Sequence, residues 1–228
     1  MPALRSLLYI FFLAAAMLSA PHALAGEDIV RTNGAVNTSA GATYGRLATT
    51  NGAVRLAEGV TAGQASTVNG SISADDDVTA AGLETVNGSI RVGERARIAG
   101  GVETVNGSIF VGRGSRVGSV DTVNGAIGLV ATEVAGDVGI ANGDLTIGVG
   151  SHVRGKLHVH KPSASWMPVR VSMRKQRVII GPGAVVDGPL VFEREVLLYV
   201  HDTARIGEVS GATPVAYSTP TAPPRAED

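Results

Sequence analysis

Thr67-Val68-Asn69-Gly70-Ser71-Ile72 recurs unchanged at 85–90 and again at 104–109. Looser copies occupy 49–54 and 122–127, and Asn-Gly alone marks positions 33 and 142. The Asn-Gly pairs begin at 33, 51, 69, 87, 106, 124 and 142, so their spacings are 18, 18, 18, 19, 18 and 18. A period this short and this constant is the mark of stacked structural units.

Within one unit the apolar positions are Val86, Ile90, Val92, Ile98, Val102 and Val105, at intervals of 4, 2, 6, 4 and 3. Neither a 3.6- nor a 3.5-residue period fits, which disfavours helix. Brief Ile-x-Val segments separated by glycine suit short strands joined at corners. Three such strands and three corners take up about 18 residues. The expected fold is therefore all-β: a right-handed, three-sided parallel β-helix (β-solenoid) with about 18 residues per coil. A hairpin meander is the rival, because Asn-Gly is also a strong type I′ turn signal. Stacking explains better why the same residues return in the same register, since each residue meets its own counterpart. A transmembrane barrel needs aromatic girdles and longer alternating strands, and aromatics are only 4% of the chain.

On this reading Val and Ile point inward. Thr49, Thr67, Thr85, Thr104 and Thr122 then form a flat outward strip beside the asparagines. The column Asn33, Asn51, Asn69, Asn87, Asn106, Asn124 and Asn142 is read as a structural amide ladder, as in other cross-β stacks. Its corner is expected to use the left-handed conformation that Asn and Gly tolerate.

Beyond Asn142 a second pattern continues the array. Val153, Gly155 and Leu157 match Val186, Gly188 and Leu190, and a partial copy lies at 200–209. The solenoid is thus expected to be a single domain over 26–210. Residues 161–177 interrupt the rhythm with Trp166, Arg170, Arg174, Lys175 and Arg177. They are read either as a lid on the coil or as a partner-binding patch of the aromatic and cationic kind found at interfaces. Residues 211–228, polar and rich in proline, are expected to be a disordered tail.

The N-terminus reads as a secretory signal over 1–25. Arg5 precedes an apolar stretch at 6–20, and Ala23-Leu24-Ala25 is a cleavage site of the small-x-small type. Export to the periplasm or the cell surface follows as an expectation, with no membrane span after cleavage. The chain has no cysteine, so packing and backbone hydrogen bonds, not disulfides, must hold it together. Cleavage would remove one base and no acid, leaving 18 basic against 20 acidic residues, a net charge of −2. That balance points to neither nucleic acid nor an anionic membrane.

Candidate chemistry is sparse. Asp75-Asp76-Asp77 reads as a solvated corner, because the equivalent positions in other repeats are not acidic. His158 and His160 share one strand face, with His152 one segment earlier, but no further ligand is evident beside them. No metal or other cofactor is expected. No nucleophile–base constellation or recurring carboxylate pair marks an enzyme, and no catalytic residue is assigned.

At the level of Thr-Val-Asn-Gly-Ser-Ile, over about 30–145, the chain resembles exported bacterial β-solenoids of the adhesin type. The stretch Ile180-Gly181-Pro182-Gly183-Ala184-Val185-Val186-Asp187-Gly188-Pro189-Leu190 resembles the bactofilin, or polymer-forming cytoskeletal, repeat. The first resemblance implies a non-enzymatic scaffold or binding surface in the envelope. The second implies a filament that assembles end to end through its coil ends, although bactofilins are typically cytoplasmic. A regular outward Thr array would also suit an ice- or glycan-binding face.

Overall fold

The computed structural model describes residues 26–161 and 175–221. The expected signal segment, and Trp166, Arg170 and Arg174 of the interruption, lie outside the described residues. The chain is an all-β parallel solenoid of about ten coils, built from two parallel sheets. Among the described residues no helix is long and apolar enough to cross a membrane.

The larger sheet begins with one long strand per coil: Glu27–Asn33, Tyr44–Asn51, Thr61–Asn69, Thr79–Asn87, Arg97–Asn106 and Arg116–Asn124. From there each coil contributes two short strands instead, first Glu133–Val134 and Val138–Asn142. The same division recurs through His152–Val153 with Leu157–Val159 and Val185–Val186 with Leu190–Phe192. The second sheet takes one short strand per coil, from Val36–Asn37 to Pro214–Tyr217. At about 4.8 Å per parallel step, its ten strands rise roughly 43 Å.

Register follows the sequence period. Asn51, Asn69, Asn87, Asn106, Asn124 and Asn142 pair rung to rung. The single 19-residue spacing is absorbed between Ile98 and Val102, where the register slips by one beside Gly100 and Gly101. A bulge there keeps every other side chain on its own face. Across the interruption Val153 pairs with Val186 and Leu157 with Leu190. The array therefore continues past the interruption. The extra residues before Gln176 are an insertion into the 18-residue count, while Gln176 and Arg177 already pair with Val196 and Leu197 in the second sheet. Pro214–Tyr217 carries the solenoid beyond the expected boundary at 210 by pairing with Val196–His201. The reason is Tyr217, which is buried, donates to the Ile180 carbonyl at 3.3 Å and meets His201 edge-on.

The core is one continuous column. Ile90, Val92, Ala96, Ile98 and Val102 of the aligned unit are all at most 2% exposed. The expectation about the corner needs two corrections. First, Thr49, Thr67, Thr85, Thr104 and Thr122 are buried, while Val68 and Val86 are only half-buried. Side chains alternate along a strand, and Leu83, Val102 and Val120 point inward two residues before each threonine. Each threonine hydroxyl donates to the glycine carbonyl at the corner of the coil below, at 2.8–3.1 Å. That bond removes the penalty for burying the hydroxyl, and these five threonines form no outward strip for ice to match.

Second, the Asn-Gly corner is not generally left-handed. Among its described residues only Gly34, Gly125 and Gly143 have positive φ. At Gly52, Gly70, Gly88 and Gly107 the constraint is proximity: a Cβ would strike the carbonyl of the stacked glycine below.

Candidate functional site

The asparagine column lies along an exposed edge. Each Nδ2 donates to the Oδ1 one coil below, at 2.9–3.0 Å, from Asn142 down to Asn33. At the upper end Arg194 donates to Asn142 Oδ1 at 2.9 Å and to the Ala141 carbonyl at 3.2 Å. The ladder therefore spends its amides on itself and ends on a guanidinium that the 18-residue period does not connect to it.

Of the proposed patch, Lys175 reaches Glu195 at 3.6 Å on the surface. The Arg177 backbone N–H donates to Asp144 at 3.0 Å, and its guanidinium lies 5.3 Å from the Tyr199 ring centroid. Asp77 holds Arg95 at 2.8 Å, and Asp76 accepts from the Glu94 backbone N–H. The hydrogen bond from Arg95 holds the Asp77 carboxyl below its usual range. His152 pairs with Asp187 at 2.6 Å.

The most concentrated chemistry lies on the outer face of the larger sheet. One register column there reads Ser66, Glu84, Glu103, Asp121, Gly139, His158 and Val191. Three carboxylates on consecutive rungs, about 4.8 Å apart, cannot all be ionised without cost. Burial pushes Glu84 up to about 7, and the Glu103 charge adds to it. Burial also pushes Asp121 up to about 7, reinforced by Glu103 and Asp137 and opposed by Lys156. Glu103 is raised by desolvation between its neighbours. The signal is present in the sequence, since each acid immediately precedes the threonine of a Thr-Val-Asn-Gly repeat.

These raised values fix a sign. The folded chain binds protons at Glu84 and Asp121 that the unfolded chain releases at lower pH. The ladder is therefore a penalty present above about pH 7 and relieved as pH falls toward the ordinary carboxylate range. Glu103→Gln should stabilise the fold at pH 8 by about 0.2–1 kcal/mol per like-charged pair removed. That gain should vanish near pH 5, where the neighbours are protonated. Urea midpoints of both proteins at the two pH values check this, and a gain independent of pH would contradict it.

Continuing up the same face, His158 and His160 project together from Leu157–Val159 and the residue after it, with ring centroids 3.9 Å apart. The next coil brings Glu193 beside them, with His158 Nε2 3.0 Å from Glu193 Oε1. The Lys161 backbone N–H donates to Glu193 Oε2 at 3.0 Å, and this bond is the chief reason the carboxyl stays low. Burial, then the neighbouring His158, holds the His160 imidazole below its ordinary value. One ligand atom from each of the three residues can be chosen so that all lie within 4.8 Å of one another. The sequence pattern marks the two histidines but not Glu193, which lies 35 residues from His158 across the insertion.

Compared with known proteins, the chain matches no family model, and no curated protein or solved structure is significantly similar to it.

Proposed function

We propose that the chain is exported and serves, without catalysis, as an adhesin-like scaffold or binding surface of the bacterial envelope. One observation carries this reading: the coils repeat in register, so the rod presents long, regularly spaced faces. The signal-like segment at 1–25 and the resemblance of the Thr-Val-Asn-Gly-Ser-Ile repeat to exported adhesin-type solenoids support it.

End-to-end assembly of the bactofilin kind is the second reading, and a separate observation favours it. Among the described residues, Glu27–Asn33 has one neighbouring strand and is exposed along almost its whole length. Val30 on it is 63% exposed. A strand with unpaired N–H and C=O groups is a template for adding another. The opposite end is blunter, closing on short strands and on Pro214, which has no N–H to offer.

Sedimentation velocity and negative-stain microscopy of residues 26–228 across a wide concentration range test both readings. Discrete rods at every concentration support the scaffold and remove the filament. Filaments that lengthen with concentration reverse that order. A compact globule or an unstructured chain overturns both.

A further inference from the structure

We propose that His158, His160 and Glu193 form a binding site for a divalent transition-metal ion of the zinc class. Two imidazoles and one carboxylate are a donor set suited to such an ion, with a remaining position for water. The placement follows from the fold. Residues two apart on a strand share a face, so His158 and His160 leave the sheet side by side. The backbone pairing of Val159 with Phe192 then sets Glu193 on the adjacent rung.

The ligands are also oriented from behind. The Glu193 backbone N–H donates to the Val159 carbonyl at 2.9 Å, which anchors its Cα. Its second oxygen is held by the Lys161 N–H, leaving Oε1 toward His158. Below, Gly139 stacks under His158 with no side chain to crowd the rings. Asp121 Oδ1 and His160 Nε2 both lie over the bare Cα of Gly139. Asp121 Oδ1 thus shares this gap with His160 Nε2 without belonging to the three-residue ligand group. The nearby Lys156 ammonium is held by Asp137 at 3.3 Å, which offsets its repulsion of a cation.

Ligand atoms on one zinc ion at about 2.0–2.2 Å lie roughly 3.3 Å apart. The present spread of up to 4.8 Å closes to that by small rotations of partly exposed side chains. His160 precedes the insertion and Glu193 follows it on the next coil. A bound ion would therefore clamp two coils together where the repeat is broken.

The test is titration of the metal-free, tag-free protein with Zn²⁺ by calorimetry and with Co²⁺ by visible absorbance. One equivalent should bind at micromolar affinity or tighter, with a Co²⁺ spectrum of low coordination number. His158→Ala, His160→Ala and Glu193→Gln should each weaken Zn²⁺ binding at least tenfold, while His152→Ala leaves it unchanged. Absence of stoichiometric uptake overturns the site, as does uptake indifferent to the three substitutions. X-ray absorption on the loaded wild-type protein is independent of how the variants fold. Two nitrogens and one protein oxygen at zinc-ligand distances support the site, and a shell without imidazole overturns it.

Discussion

Ile90→Asp is expected to abolish folding, or to cost more than about 4 kcal/mol. Ile90 is 1% exposed and stands on its counterparts Ile72 and Ile109 in the second sheet. Truncating such a residue alone costs about 2–5 kcal/mol. An aspartate adds an unpaired charge in an apolar column, where it must be protonated or hydrated at further cost. Total stabilities of about 5–15 kcal/mol leave little margin, and each coil depends on its neighbours. Urea denaturation followed by circular dichroism measures the loss. Arg91→Ser, one residue on and exposed, should shift stability by no more than about 1 kcal/mol. A normal midpoint for Ile90→Asp would mean that the column is not the core.

Gly88→Ala should be the second severe change, although Gly→Ala at an ordinary position stabilises by about 0.4–1 kcal/mol. The Gly88 backbone is not in the left-handed region, so alanine has no dihedral reason to fail. Its Cβ would instead meet the Gly70 carbonyl, a backbone atom that cannot move without moving a rung. Overpacking of this kind costs about 1–3 kcal/mol, sometimes more. Gly34 supplies the contrast, with a φ of 99° and open space, nothing within 4 Å, where a Cβ would stand. Gly88→Asn should therefore be as damaging as Gly88→Ala, whereas Gly34→Asn meets no atom and should cost less, carrying only the strain of a positive φ that asparagine bears better than most residues. Equal tolerance of asparagine at both positions in thermal melts would restore the left-handed reading of the whole corner.

The repeat makes the period, the register and the inward positions of Ile90, Val92, Ile98 and Val102 legible in the sequence. The parity of the corner is easily misread, because Val86 is apolar and Thr85 is not. The inward residue Leu83, two before Thr85, carries the correct phase, and a buried threonine is tolerable once its hydroxyl finds the Gly70 carbonyl. The carboxylate ladder is equally present, as Glu84, Glu103 and Asp121 before successive Thr-Val-Asn-Gly motifs. It escapes a reading by sequence because a solvated strand face normally carries charges without coupling them. Glu193 and Arg194 are harder to place. Their partners His158 and Asn142 lie 35 and 52 residues away, and the insertion erases the 18-residue count that would align them.

The scaffold reading depends above all on where the chain works, because a rod of repeated faces has a use as an adhesin only outside the cytoplasm. Fractionating bacteria that express all 228 residues, with N-terminal sequencing of the recovered protein, tests this most directly. The expected result is a product that begins at Gly26 and is found in the periplasm or on the cell surface. A full-length product retained in the cytoplasm would contradict it.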